Sequence, residues 1–207
     1  MLFRSGKLDG TSAGNQTLGL TAGTGNVVFT GAVGSGTRVG AITINSATDV
    51  TAAAVTAASL VQSAGTGTTR LNGAVDTDAA AGVNIAAGTI VLNSTITTAN
   101  SGVVTLAAGA GGLTIAAAGD ISADAAVSLT GAGTVKISTA GDVTTTGDDV
   151  TYNSDTTLTG NVSIGTGTGA GNISFSGKLD GTSAGNQTLG LTAGTGNVVF
   201  TEIGRAH

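Results

Sequence analysis

Short apolar segments recur along this chain at a nearly constant spacing, and this spacing restricts its fold more than any other feature. Each segment has two apolar residues separated by one residue, as in VKI, LTI or VSL, which is typical of a half-buried β-strand. One series contains Ile90/Leu92, Leu113/Ile115 and Val135/Ile137, whose numbers rise by 23 and then by 22. A second series contains Val104/Leu106, Val127/Leu129 and Val150/Tyr152, whose numbers rise by 23 at each step.

Two further alignments give the same period. The motifs AAGDI and TAGDV end at Ile121 and Val143, a step of 22. Upstream, three apolar residues align without a gap with three others at a step of 21, namely Leu71, Val75 and Ile85 with Leu92, Ile96 and Leu106. The chain therefore repeats about every 21–23 residues, with three short strands in each repeat.

Three strands in about 22 residues predict an all-β fold, the parallel β-helix or β-solenoid. Each strand would pair with the equivalent strands of the turns above and below, about 4.8 Å away. The inward side chains would form columns along the axis, and we expect Leu71, Leu92, Ile115 and Ile137 to share one column. A single turn cannot bury its apolar face alone, so neighbouring turns must provide the stability. About nine turns would give a rod of about 40 Å.

The composition is consistent with this fold. The 207 residues include 36 Gly but no Pro and no Cys, and a chain without proline keeps every backbone donor of the ladder. The Ala-rich residues 51–59 are the best helix candidate, but their register with the neighbouring repeats favours strand and turn. The alternative is a string of tandem β-sandwich domains. The chain lacks the Trp and Cys residues that commonly anchor a sandwich core, which argues against this alternative.

One stretch, SGKLDGTSAGNQTLGLTAGTGNVVFT, occurs at residues 5–30 and again, unchanged, at residues 176–201. The flanking sequences MLFRS and EIGRAH match translated short-read sequencing adapter, so we interpret residues 1–5 and 202–207 as adapter scars of a metagenomic gene assembly. Residues 6–201 are then one β-solenoid segment. This segment contains one 171-residue module and the start of the next copy (176 − 5 = 171), which predicts a longer tandem array.

At GGLTIAAAGDISADAAVSLTGAGTVKISTAGDVTTTG, the alternation of AGDI or AGDV with VxL and VxI resembles filamentous-haemagglutinin-type adhesins and related β-strand-repeat surface proteins of Gram-negative bacteria. The resemblance extends over most of the chain, best from Leu71 to Phe200. It implies a right-handed parallel β-helix, export to the cell surface or medium, and a role in attachment. These remain expectations from the resemblance.

Few residues could support enzyme chemistry. The only His and the only Glu, His207 and Glu202, lie in the interpreted scar. The densest acidic cluster is Asp148/Asp149/Asp155, and Lys136 is the nearest base to it in sequence. The next densest is Asp76/Asp78. Carboxylates at such turns are usually solvated. The alternative functions are a carbohydrate-active β-helix enzyme and an ice-binding β-solenoid. The ice-binding alternative would need Thr-x-Thr on successive turns, and these motifs do not share one register; they start at Thr66, Thr95, Thr144 and Thr166.

Two glycine-containing motifs have structural explanations. Gly165–Gly171 (GTGTGAG) resembles a phosphate-binding loop, but a strand follows it instead of the helix that such a loop needs. Asn residues in GN[VI] motifs are predicted to be turn residues or members of a side-chain ladder; they are Asn26, Asn161, Asn172 and Asn197. Five Asn lie in N-x-[ST] sequons, which we interpret as chance in a bacterial protein, namely Asn15, Asn93, Asn161, Asn172 and Asn186.

The two AGD motifs place Asp120 and Asp142 one turn apart, about 5 Å from each other if they stack. Calcium needs six to eight oxygen ligands, and the neighbouring residues supply only backbone carbonyls. We therefore expect the two carboxylates to point away from each other into solvent, without a calcium requirement.

The sequence thus predicts a structural stalk segment of a large secreted or cell-surface adhesin of a Gram-negative bacterium, acting as a rigid spacer and in attachment or self-association. Its expected partners are neighbouring repeat modules of the same chain, with host surfaces, abiotic surfaces or glycans as further partners. The formal charge of −5 argues against nucleic acid as a partner, and no apolar run is long enough to span a membrane. We expect no catalytic, cofactor-binding or metal site.

Overall fold

A computed structural model of the chain describes residues 2–3, 7–134 and 136–202. The described residues contain strands and turns and no helix. The 22 strands are β1 (Leu2–Phe3), β2 (Leu18–Thr21), β3 (Val27–Phe29), β4 (Val39–Ser46), β5 (Val50–Ala52), β6 (Val55–Gln62), β7 (Thr68–Leu71), β8 (Val75–Thr77), β9 (Val83–Leu92), β10 (Ile96–Thr98), β11 (Val104–Ile115), β12 (Ile121–Ala123), β13 (Val127–Gly131), β14 (Ile137–Thr139), β15 (Val143–Thr145), β16 (Val150–Tyr152), β17 (Thr156–Leu158), β18 (Val162–Gly165), β19 (Ile173–Phe175), β20 (Leu179–Gly181), β21 (Leu189–Thr192) and β22 (Val198–Phe200).

The pairings between these strands are parallel, and the strands coil into a β-solenoid of about eight turns with three faces. Face one contains β1, β3, β5, β7, the second halves of β9 and β11, β14, β17 and β20. Face two contains the first half of β6, β8, β10, β12, β15, β18 and β21. Face three contains β2, β4, the second half of β6, the first halves of β9 and β11, β13, β16, β19 and β22. The predicted parallel β-solenoid is thus confirmed, and the residues 51–59 lie in β5, a turn and β6, as expected.

The core is a set of stacked columns inside the coil. Alternate residues of the short strands point inward and are buried, as in β8, β10 and β15, which is the two-residue period of a half-buried strand. Near the carboxyl end, the inward column on face three is aromatic: Tyr152 stacks on Phe175 with ring centroids 4.8 Å apart, and Phe175 stacks on Phe200 at 5.2 Å. This spacing matches the distance between turns, so one ring per turn fills the interior.

The predicted registers are correct except at one place. Val104, Val127 and Val150 stack as predicted, as do Ile121 and Val143. The sequence steps between stacked residues vary more widely than predicted, from 18 between Ile42 and Leu60 to 27 between Ile164 and Leu191. The coil absorbs these differences in its turns, where extra residues do not disturb the ladder.

The prediction that Ile137 continues the column of Leu71, Leu92 and Ile115 is wrong. Leu71, Leu92 and Ile115 do stack, but Ile115 pairs with Thr139, and Ile137 pairs with Leu113. The reason is that the sequence step between stacked residues rises to 24 on face one, from Leu113 to Ile137, and falls to 22 on face two, from Ile121 to Val143. The turn from face one to face two accordingly comprises residues 116–120 in one coil but only residues 140–142 in the next. Val135, the predicted partner of Leu113, lies outside the described residues.

Candidate functional site

The polar side chains nearest the strands mostly bind the backbone of an adjacent turn. In the AGD motifs, the N–H of Asp142 donates to Oδ1 of Asp120 at 2.9 Å, and the N–H of Ser163 donates to Oδ1 of Asp142 at 2.7 Å. Asp120 and Asp142 are therefore stacked one turn apart, as predicted. Their carboxylates do not both turn away into solvent, because each accepts a hydrogen bond from the backbone of the next turn.

The GN[VI] motifs make the same contact. Oδ1 of Asn26 accepts from the N–H of Asp49 at 3.1 Å, and Oδ1 of Asn161 accepts from the N–H of Thr188 at 3.0 Å. On face three, Asp149, Asn172 and Asn197 form a continuous ladder in which each N–H donates to the preceding side-chain oxygen, at 2.7 and 2.9 Å. Of the two roles predicted for these Asn residues, the side-chain ladder is present on face three for Asn172 and Asn197, and Asp149 makes the same contact in it.

A glycine precedes Asp120, Asp142 and the Asn residues of the GN[VI] motifs, and adjacent turns approach closely at several of these glycines. A Cβ atom at Gly141 would lie 2.8 Å from the carbonyl oxygen of Gly119, and one at Gly171 would lie 2.4 Å from that of Asp148. The motif G-[DN]-[VI] therefore has three linked parts: a close approach, a side chain that accepts the next N–H, and the first inward residue of a strand. The sequence shows AGD and GN[VI] separately; only the pairing shows that they are one motif.

The predicted acidic cluster of Asp148, Asp149 and Asp155 is divided by the fold. Asp149 precedes β16 on face three, and Asp155 precedes β17 on face one. Both oxygens of Asp155 are engaged: Oδ1 accepts from the N–H of Lys178 at 3.0 Å, and Oδ2 accepts from Nζ of Lys136 at 2.7 Å. The hydrogen bond from Lys136, and next the one from the backbone of Lys178, lower the pKa of Asp155 below its ordinary value.

This contact belongs to an open groove of about 380 Å³ on face one. We call it the polar groove; its lining includes Lys136, Ser138, Asp155, Thr157, Lys178 and Asp180. Lys136, Asp155 and Lys178 occupy one corner of three successive turns, since their neighbours Ile137, Thr156 and Leu179 are stacked. The corner alternates positive, negative and positive charge, so each charge faces an opposite one along the axis.

Asp76 and Asp78 are bound by a residue that sequence reasoning missed. Arg38 donates from Nη2 to Oδ1 of Asp76 at 2.9 Å, and its Nε lies 3.1 Å from Oδ2 of Asp78. Its Nη1 also donates to the carbonyl oxygens of Ala57 and Asp76. Arg38 thus connects three turns, and nothing in the sequence indicated it because Asp76 lies far along the chain from it.

The remaining motifs lie where the sequence predicted. Gly165–Gly171 connects β18 to strand β19, so a strand follows it. Thr97 and Thr144 lie in one outward column, but Ser122 lies between them. Thr97 is also the second Thr of its motif, whereas Thr144 is the first of its own, so the two motifs are out of register. The Thr-x-Thr motifs therefore do not form a regular array on successive turns.

Comparisons with known proteins add no family to this description. No family model, no curated protein and no solved structure matches the chain. Within the described ranges, no group of three or more His, Cys, Asp or Glu side chains could hold a metal ion. The same residues include no helix of the length and apolar character that crossing a membrane requires. Arg4, Arg205 and His207 lie outside the described part of the chain.

Proposed function

We propose that this chain is a stalk segment of a large secreted or cell-surface adhesin, in which it acts as a rigid spacer and a self-association surface. One observation supports the proposal above all others. The residues of β3 and β22 are identical copies, yet Val27 and Phe29 are 0% and 2% exposed, whereas Val198 and Phe200 are 41% and 36% exposed. The last turn is thus built from residues that the same solenoid buries when another turn follows.

The polar chemistry supports a structural function in preference to catalysis. Asp120, Asp142, Asp149 and Asp155 all use their carboxylates to bind the backbone of the next turn. In the polar groove, both oxygens of Asp155 are engaged, one by that backbone and one by Lys136. These carboxylates hold turns together, and such contacts are what a long, regular stalk requires.

A chain extended by one further module tests the spacer function. A continuous stalk should lengthen by about 37 Å, since each turn adds about 4.8 Å, and should melt at a higher temperature because solenoid stability grows with the number of stacked turns. Small-angle scattering measures the length, and circular dichroism measures the melting temperature. An extended chain that behaves as two hinged bodies with an unchanged melting temperature would contradict the proposal.

The attachment function needs a separate experiment. Purified chain, immobilised at one density on beads, is tested for retention on glycan-coated, host-cell and abiotic surfaces, with beads that carry a β-rich protein of similar charge as control. We expect retention above the control on at least one surface or between the beads themselves. Equal retention throughout would restrict the proposal to the spacer function.

A further inference from the structure

The two identical copies of the duplicated stretch do not lie on the same faces of the solenoid. Val27, on face one, is stacked in a column with Val50, and this column continues through seven pairings to Leu179. Val198, the copy of Val27, lies instead on face three above Ile173, in the column that begins at Leu18. Identical residues therefore occupy different sides of the coil.

The other strands of the copy shift in the same direction. Leu8 lies on face two through its bridge to Val33, whereas its copy Leu179 lies on face one. Leu18 lies on face three, whereas its copy Leu189 lies on face two. All three strands of the second copy are thus displaced by one face, so the shift belongs to the whole turn and is not a local slip.

The displacement follows from the number of strands in the module. We count one strand position each time the chain crosses a face, so each half of β6, β9 and β11 is one position and the bridge at Val33 is another. From Leu8 to Leu179 the chain then advances by 23 strand positions. Since three positions make one turn, the module contains seven and two-thirds turns. A module with a whole number of turns would return each copy to its own face.

We infer that successive modules of this protein are rotated by one-third of a turn about the stalk axis, so that each outward site of the module is presented on all three faces in succession. This inference rests on the proposed tandem stalk. It makes three modules the true structural repeat. It also places copies of the polar groove on three sides of the stalk, at steps of about 37 Å along the axis. A stalk of this kind meets a surface or a second stalk with the same groups from any side.

Cysteine pairs test the inference in the existing chain, which has no cysteine of its own. Ser174 and Val199 are outward neighbours in adjacent strands, and neighbouring parallel strands are close enough for a disulfide. The variant with Ser174→Cys and Val199→Cys should therefore oxidise almost completely to an intramolecular disulfide. The variant with Asp180→Cys and Val199→Cys should not, because Asp180 is on face one.

A module with a whole number of turns would give the opposite result, since Val199 would then lie above Asp180 in the column of Val28, its own copy. The pair Val28→Cys and Thr51→Cys, neighbours on face one, is the positive control for oxidation. Migration in non-reducing gels and mass spectrometry measure the disulfide. Cross-linking of Val199 to residue 180, or to neither residue while the control pair oxidises, would overturn the inference. These outcomes are independent of the extended-chain experiment, which alone decides whether the stalk continues.

Discussion

At the scale of single residues, the Asp and Asn side chains before the strands serve mainly as acceptors for the backbone. Eleven Asp residues are present in a chain with few other charged groups, and several of them accept a backbone N–H of the adjacent turn. A buried or corner N–H without a partner is costly. Asp and Asn are short enough to reach it, which explains why both alternate at one motif position.

This explanation predicts different effects for two substitutions of Asp142. Asp142→Ala removes the acceptor for the N–H of Ser163 and should reduce the free energy of unfolding by about 1 kcal/mol. Asp142→Asn keeps an oxygen at the same place, as Asn172 does on face three, and should be close to neutral. Urea unfolding of the two variants measures the difference. Equal losses would show that the charge, and not the acceptor, is what matters.

The stacked AGD motifs also give a prediction about calcium. Oδ1 of Asp120 and Oδ1 of Asp142 each accept a backbone hydrogen bond, and calcium would need further oxygen ligands that these neighbours do not supply as side chains. We expect the melting temperature to be the same in millimolar Ca²⁺ and in chelator. A rise of several degrees with Ca²⁺ that disappears in Asp120→Asn would make this ladder a metal site.

Tyr152 is the one tyrosine of the chain, and it is fully buried. Its hydroxyl has no hydrogen-bond partner among the residues that the structure describes. Burial, with a smaller effect of the negative charge of Asp142, raises its pKa well above the ordinary value of 10.0. Because the unfolded chain ionises first, the free energy of unfolding should be unaffected below about pH 10 and should fall as the pH rises above it.

Tyr152→Phe removes this pH dependence and the unpaired hydroxyl together. Phe already fills the next two positions of the same column, as Phe175 and Phe200, so we expect the variant to fold and to be at least as stable as the parent at pH 8. The parent should lose more stability than the variant between pH 10 and pH 12. Tyrosinate absorbance, which reports on one residue here, should appear only with unfolding. Absorbance that appears in the folded protein near pH 10 would contradict the prediction.

At the scale of strands, the inward and outward alternation decides which substitutions the chain tolerates. Ile115 is buried between Leu92 and Thr139, whereas Thr114, its neighbour in β11, points outward. Ile115→Asp buries a carboxylate without a partner and should cost several kcal/mol. Thr114→Asp should cost less than about 0.5 kcal/mol, as is usual for surface substitutions. Thermal melts of both variants measure the contrast, and similar melting temperatures would reject the register.

At the scale of the whole molecule, the carboxyl-terminal end of the coil is the part most ready to associate. β22 has β19 on one side and no strand on the other among the described residues, and Val198, Val199 and Phe200 are exposed. Unpaired strand edges bind other edges unless charge or a cap prevents it. We therefore expect the isolated chain to form oligomers or fibres through this end.

A lysine at the exposed edge should weaken this association. Val199→Lys places a charge at the end of the coil and should lower the mass measured by light scattering. Val91→Lys, an outward substitution of the same kind in the middle of face one, is the matched control and should leave the mass unchanged. A parent protein that stays monomeric at high concentration would contradict the prediction, as would equal effects of the two lysines.

The sequence alone determined the fold class, the three strands per turn and most of the registers. These properties are local: the constant spacing of Val104, Val127 and Val150 predicts their stacking, because each strand must alternate and each turn must return the chain to the same side. It also indicated a side-chain ladder as one of two roles for the Asn residues of the GN[VI] motifs, since each of them directly precedes a predicted strand.

Only the tertiary structure decided properties that depend on sums over many turns. Thr139, and not Ile137, lies above Ile115 because the turns before and after this strand change length in opposite senses. The step of 22 from Ile121 to Val143 agrees with the predicted period and so hides the change. Arg38 and its carboxylates come together only when the turns stack. The different faces of the two identical copies have the same origin: spacing in sequence gives a distance along the chain, whereas the angle around the axis accumulates with every strand.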